Sequence, residues 1–241
     1  STDGIGLETA RMLVAPGHQV LLHGRNPSKL ETVEETLSTL PGGGRVESYV
    51  ADLSRMTEVE ALAAAVAEKH ATLDGLINNA GVYKTSDPET RDGLEVRFAV
   101  NTIAPYLLTR RLLPLLGKSG RVINLSSAAQ SPVDPSALAG RSRLSDSAAY
   151  AQSKLALTMW SRALASDLGD DGPTIIAVNP GSLLGSKMVK EAFGVPGGDI
   201  RKGAEILRRT ALEDEFAEAS GRYFDNDSGR FASPHPDALD P

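Results

Sequence analysis

Six short apolar segments alternating with longer segments of helical periodicity constrain this chain more than any other feature. The strand-like segments are His18–Gly24, Arg45–Ala51, Leu73–Asn79, Arg121–Leu125, Thr174–Asn179 and Arg222–Phe224. Between them the helical period recurs over Leu7–Ala15, Ser28–Leu40, Met56–His70, about 93–116, the segment from Tyr150 to Leu168, and Ile200–Ala211, with a short helix around 214–218. Strictly alternating strands and helices predict an α/β fold with a parallel, doubly wound sheet in three layers, helices covering both faces. With 241 residues and 41% hydrophobic content, the chain suits one domain over 1–241. The polar, proline-bearing tail from Asn226 to Pro241 is expected to pack loosely.

In a doubly wound sheet, ligands bind beyond the C-terminal strand ends. The residues that fall there are Gly4–Gly6, Arg25, Asp52, Asn79–Gly81, Ser127 and Pro180–Gly181. Ser1-Thr2-Asp3-Gly4-Ile5-Gly6 is a glycine-rich turn that runs straight into a helix. Unpaired N–H groups and the helix dipole make such a terminus an anion site, and glycine permits close approach. The strand that should feed this turn is not in the sequence. About ten further residues are expected before Ser1, carrying a first central strand.

Composition narrows the chemistry. A net charge of −6 and a pI near 5.3 argue against non-specific binding to nucleic acid or an anionic membrane. With no cysteine and four scattered histidines, neither a thiol nucleophile nor a dedicated metal site is expected. No apolar run approaches the ~20 residues of a membrane span, and a cytoplasmic setting fits. Tyr150-Ala151-Gln152-Ser153-Lys154 places a phenol and an ammonium on one helix face. A neighbouring ammonium favours phenolate and so lowers the phenol pKa, which suits proton exchange in a carbonyl/alcohol interconversion.

Taken together, these residues resemble the short-chain dehydrogenase/reductase family, in its retinol-dehydrogenase-like and WW-domain-oxidoreductase-like branch. Asp3-Gly4-Ile5-Gly6 is similar to the end of the family's Thr-Gly-x-x-x-Gly-x-Gly fingerprint. Asn78-Asn79-Ala80-Gly81, Asn101, Ser127, Tyr150/Lys154 and Pro180-Gly181 match the remaining motifs in order. The 23 residues separating Ser127 from Tyr150 favour this branch over the ketoacyl reductases, whose segment is shorter.

The resemblance implies a Rossmann-like fold and a catalytic set of Asn101, Ser127, Tyr150 and Lys154. Tyr150 would protonate the carbonyl oxygen in reduction. Lys154 would tune that phenol and bind the nicotinamide ribose. Ser127, rather than its neighbour Ser126, would hydrogen-bond the substrate oxygen. Asn101 would hold a water linking Lys154 to solvent, or bond a neighbouring backbone, or both. The implied cofactor contacts are Ser1, Thr2, Asp3, Gly4, Ile5, Gly6, Arg25, Asp52, Leu53, Asn79, Ala80, Gly81, Tyr150, Lys154, Pro180, Gly181 and Ser182. Ser186 lies where the family often has a cofactor-contacting threonine.

Arg25 bears on cofactor choice. An acidic group after the second strand would bind a ribose 2′-hydroxyl, whereas a guanidinium suits a 2′-phosphate, so NADP is expected over NAD. Asp52 is expected at the adenine edge. The expected function is an NADP(H)-dependent oxidoreductase interconverting a carbonyl and an alcohol. The alternative is a dinucleotide-binding or interaction module without catalysis. Loops 82–92, 128–147 and 182–198 carry Tyr83, Leu138, Leu144, Leu183, Leu184, Met188 and Phe193, which predicts a small apolar substrate. Family habit also makes a homodimer through the helices at 93–116 and 147–168 an expectation.

Overall fold

Val122 and Ile123, adjacent on one strand, bury their side chains in opposite layers, and that alternation organises the molecule. A computed structural model describes residues 2–240. Its strands are β1 (Val20–Gly24), β2 (Val46–Val50), β3 (Leu73–Asn78), β4 (Leu116–Leu125), β5 (Thr174–Asn179), β6 (Tyr223–Asp225) and β7 (Arg230–Ala232). β3 to β6 run parallel in the order β3-β4-β5-β6, and β7 closes that edge antiparallel. β1 and β2 form a separate parallel pair.

The helices are α1 (Gly4–Val14), α2 (Pro27–Ser38), α3 (Met56–Lys69), α4 (Val96–Phe98), α5 (Ala104–Leu112), α6 (Pro135–Leu138), α7 (Asp146–Leu168), α8 (Lys187–Phe193) and α9 (Arg201–Leu212). Local chemistry explains their limits. Asn26 caps α2 by accepting the Lys29 N–H at 2.9 Å, with Pro27 at the first helical position. Ser145 caps α7, and Gly169, at φ +55°, ends it. On one side of the sheet, Ile123, Leu125, Ile176 and Val178 pack against Ile206 and Leu207 of α9. On the other side, Val122 and Ile175 meet Leu164 and Ala165 of α7, and Leu62 and Val66 of α3 meet Leu108 and Leu112 of α5. This is the expected three-layer doubly wound fold.

The two sheets are not bonded to each other. Among the described residues, β1 pairs with β2 and β3 with β4, and no strand pairing joins the two sheets. The space between them is a cavity of about 340 Å³, lined by Leu22, Tyr49, Leu62, Ile77 and Leu108 among others.

Three expectations need correction. The segment 93–116 is not one helix: α4 gives way to a π turn at Ala99–Ile103, then α5, then a 3₁₀ turn at Leu113–Leu115, and β4 begins at Leu116 rather than Arg121. Pro105 has no N–H to give the Asn101 carbonyl four residues earlier, and the Ala104 N–H reaches back five residues to Ala99. The long loop 128–147 contains α6, capped by Asp134 through the Ser136 N–H at 2.8 Å. The tail is not loose either. β7 seats Phe231 against Phe216 and Phe224, and Arg162 donates to the Ala238 carbonyl at 2.8 Å. Polar composition concealed one aromatic anchor and a set of backbone acceptors.

Candidate active site

The C-terminal strand ends converge beside the first turns of α7. Ser145 starts the helix, Asp146 follows, and Tyr150 and Lys154 succeed one another along its inner side. Tyr150 is half-buried, and the Ser127 side chain lies close enough to act on its hydroxyl, pulling the phenol pKa down against the effect of desolvation. Ser127 sits just past β4 and its Oγ also accepts the Ala129 N–H at 3.1 Å. Ser126 is turned away, its Oγ 2.7 Å from the Thr158 hydroxyl and donating to the Lys154 carbonyl at 3.2 Å. Of the two serines, it is Ser127 that acts on the phenol.

Lys154 is 4% exposed, and its Nζ donates to the Leu125 carbonyl at 2.6 Å. Burial pulls its pKa down to about 8. Its Nζ lies 5.6 Å from the Tyr150 ring centre. The expectation that this ammonium lowers the phenol pKa does not hold in this arrangement. Burial pushes Tyr150 up, the Ser127 hydrogen bond works against it, and the Tyr83 phenol adds to the rise. The physical reason is that both groups lose water while the ammonium is directed to a main-chain carbonyl instead of the phenol oxygen.

Asn101 stands in the π turn and is 1% exposed. Its Oδ1 accepts the Val82 N–H at 2.8 Å, while Nδ2 donates to the Val82 carbonyl and to Ser153 Oγ, both at 3.0 Å. The side chain therefore braces the backbone just after Gly81. A Cβ on Gly81 would stand 3.5 Å from Asn101 Oδ1, 3.6 Å from Met188 Cε and 3.7 Å from Lys154 Nζ. Asn101, Gly81, Lys154, Ser127 and Tyr150 thus form one connected cluster.

The expected cofactor residues line the same crest. Thr2 covers Gly24 so closely that a Cβ there would come within 2.8 Å of the threonine methyl. Asp3 caps α1, accepting the Gly4 N–H at 2.8 Å and pairing with Lys29 at 2.9 Å, and the Lys29 bond holds its carboxyl below the usual range. Gly4 has φ +57°, a conformation glycine adopts without strain. Ile5 turns into the core below β4 and β5, and Gly6 is buried within α1.

Arg25 is exposed at the end of β1, and its charge reaches Asp52. Burial raises the Asp52 pKa, but bonds from Ser54 and the charges of Arg25 and Arg55 prevail, so the carboxyl stays low. Leu53 packs on the α3–α5 core. Asn79 and Ala80 follow β3, with the Asn79 N–H turned back to the Ile77 carbonyl at 3.0 Å.

At the end of β5, Asn226 donates to the Pro180 carbonyl at 2.9 Å, and Asn179 accepts the Gly181 N–H at 3.2 Å. Asp227 takes the Ser182 N–H at 2.8 Å and its hydroxyl as well. The segment beyond folds over α1, and a Cβ on Gly4 would stand 3.9 Å from Ser186 Cβ. Ser186 itself caps α8. Leu183, at φ +50°, is the only non-glycine with positive φ among the described residues. Ser1 lies outside the described residues. Among the described residues, no group of His, Cys, Asp or Glu is arranged to hold a metal ion.

Sequence reading missed two contributors. Asp227, in the tail, fastens Ser182. Arg97 lies buried between Val96 and Phe98, and a cation inside an apolar run was the available signal.

The family pattern described as short chain dehydrogenase matches residues 1–194. Human retinol dehydrogenase 13 is 32% identical over 259 residues, covering 100% of this chain and 78% of that protein. Human polyprenol dehydrogenase is 35% identical over 202 residues, covering 80% of this chain and 61% of its own length. Among solved structures, the RhlG/NADP active-site complex of Pseudomonas aeruginosa superposes with a TM-score of 0.74 at 26% identity, covering 93% of this chain and 91% of that one. An uncharacterized protein from Mycobacterium paratuberculosis superposes with a TM-score of 0.80 at 26% identity, covering 100% of this chain and 85% of its own.

Proposed function

The chain belongs to the short-chain dehydrogenase family, and from that premise we propose that it interconverts a small apolar ketone or aldehyde and the corresponding alcohol, using NADP(H). The observation that carries the reading is the placing of the Tyr150 ring 5.6 Å from the Nζ of the buried Lys154, with Ser127 acting on the same phenol.

The residues present fit a dinucleotide. Glycine at 81 leaves open the place where a Cβ would meet Lys154 and Asn101. α1 offers a helix N-terminus approached by glycine backbone, and Arg25 is an exposed cation suited to a 2′-phosphate. Two structural relatives are described as complexes with NADP, RhlG and a Burkholderia cenocepacia short chain dehydrogenase, each 26% identical. Thr2 to Gly6, Asp52, Leu53, Asn79 to Gly81 and Pro180 to Ser182 would border the bound molecule. When bound, the cofactor supplies or accepts the hydride.

The chain's own residues handle the proton. In reduction, the Tyr150 hydroxyl gives its proton to the substrate oxygen; burial keeps the phenol protonated at neutral pH, so the donor is present, and at the same time makes it a weaker acid. Ser127 Oγ orients the same oxygen. Lys154, with a pKa of about 8, exchanges protons near neutral pH and would turn from the Leu125 carbonyl toward the ribose. Asn101 keeps residue 82 and the glycine before it in place.

Purified protein with NADPH and a panel of ketones and aldehydes tests the proposal. Turnover is expected, and Tyr150→Phe should lower kcat by about 100-fold or more while NADPH binding, followed by fluorescence, is retained. NADPH binding without turnover of any carbonyl or alcohol would overturn the enzymatic reading and favour a non-catalytic dinucleotide-binding module.

The acidic, cysteine-free composition supports a cytoplasmic setting; no helix among the described residues is long and apolar enough to cross a membrane. Tyr106 on α5, 40% exposed and edge-on to Trp160 of α7 at 5.4 Å, supports pairing of two copies through those helices, which light scattering would test.

A further inference from the structure

One buried cation near the site has no part in the proton chemistry. Arg97 is 1% exposed and lies on α4, just ahead of the π turn that carries Asn101. Burying a guanidinium is costly unless its donors are well partnered. Here Nη2 lies 2.6 Å from Glu95, while Nη1 donates to Asp146 at 2.8 Å and to the Tyr83 carbonyl at 3.2 Å; Nε is buried without a hydrogen-bond partner among the described residues, so the cation is partnered at its two terminal nitrogens alone. Glu95 is held in turn, its Oε2 accepting the Arg97 and Phe98 N–H groups at 2.8 and 3.2 Å.

Asp146 opens α7, one turn before Tyr150. Arg97 therefore ties the helix that carries the reacting phenol to the backbone of residue 83. The consequence is visible in the rings. Tyr83 packs on Tyr150 with centres 4.9 Å apart and planes tilted by 52°. Its other neighbour is Phe193, at 5.4 Å and 54°. Phe193 ends α8, is 52% exposed and is followed by Gly194 in the left-handed conformation. One wall beside the phenol is thus aromatic, reaching from Tyr150 out to solvent, and Met188 on the same short helix stands over Gly81.

We propose that Tyr83 is a specificity-determining residue of this site, positioned by Arg97, and that with Phe193 it selects carbonyl compounds carrying an aromatic ring over saturated ones of the same size. Aromatic faces and edges attract one another beyond the area they bury, whereas a cyclohexyl group gains only the burial. Like the wall itself, the selection depends on Tyr83 being held: freed from Arg97, its backbone would lose the side-chain donor that fixes it against α7.

The inference rests on the oxidoreductase reading, and its test separates the two. Phenyl alkyl ketones are compared with their cyclohexyl counterparts in two ways: by kcat/KM with NADPH, and by calorimetric Kd on the NADP-loaded protein, which needs no turnover. Tyr83→Leu should lower the phenyl-to-cyclohexyl ratio by about 3- to 10-fold in both measurements. Tyr83→Phe should keep the ratio. Arg97→Met should lower it as Tyr83→Leu does, the double variant adding nothing further, and Arg97→Lys should restore part of it. NADPH affinity should not change in any of them.

Turnover with a phenyl-to-cyclohexyl ratio that Tyr83→Leu leaves untouched would overturn the inference while leaving the oxidoreductase reading intact. A Kd ratio that responds to Tyr83 in a protein without turnover would support the inference and overturn that reading. If Arg97→Met does not fold, an unchanged ratio in Arg97→Lys and Tyr83→Leu together overturns the proposal.

Discussion

Replacing Lys154 by methionine should make the cofactor-free protein more stable at neutral pH, although it removes the cation that the proposed chemistry needs. Lys154 is buried, and burial takes its pKa from 10.5 to about 8. At about 1.4 kcal/mol per pH unit, holding the charge inside costs the fold about 3 kcal/mol. Below pH 8 the lysine is protonated in both folded and unfolded chains, so the cost is fully present and independent of pH. Between 8 and 10.5 the unfolded chain keeps the proton and the folded chain releases it, so stability rises with pH. Above 10.5 both are neutral and the cost is gone.

Methionine keeps much of the packing volume and carries no charge, but it leaves the Leu125 carbonyl without the Nζ donor at 2.6 Å. That loss costs about 1 to 2 kcal/mol. Lys154→Met should therefore gain about 1 to 2 kcal/mol at pH 7 and raise Tm by about 2–8 °C for a domain of this size. Its advantage should shrink from pH 8 upward and change sign before pH 10.5. Urea denaturation followed by circular dichroism at pH 7, 9 and 10.5, comparing the variant with the parent at each pH, measures it. The parent's other titrating groups cancel in that difference. A variant less stable than the parent at pH 7, with a difference that does not move across the window, would refute the reasoning.

Two other outcomes follow from single side chains. Arg25→Asp should reduce the preference for NADPH over NADH by about 10-fold or more, because a carboxylate at the end of β1 repels a 2′-phosphate and can accept a bond from a 2′-hydroxyl; binding titrations with both cofactors read it, and an unchanged ratio would remove Arg25 from the site. Ile176→Ala empties a fully buried position between the sheet and α9, so it should cost about 2–5 kcal/mol, seen as a lower urea midpoint with the same slope.

Particular residues show where sequence reading reached and where it stopped. Thr174–Asn179 was legible to the residue as a strand, because six consecutive buried positions bounded by Gly172-Pro173 and Pro180-Gly181 allow little else. The break at 99–103 was half legible, since Pro105 announces a missing donor but not the five-residue reach of the Ala104 N–H. Ser127 could be told from Ser126 by family resemblance alone, and the physical difference is that Ser126 spends its hydroxyl on Thr158 and the Lys154 carbonyl. β7 was illegible: three residues with one aromatic carry no periodic signal, and their pairing depends on β6 being exposed as an edge.

The sequence by itself determined the layered α/β architecture, the family, and the residues that gather at the strand ends, because periodicity and motif spacing are properties of the chain read locally. Only the tertiary structure decided what surrounds the reactive groups. That Lys154 looks to the Leu125 carbonyl, that burial raises Tyr150 instead of letting an ammonium lower it, and that Arg97 joins residue 83 to the start of α7 all depend on atoms 14 to 49 positions apart being desolvated together. Desolvation and long-range pairing are set by packing, and no local pattern encodes them.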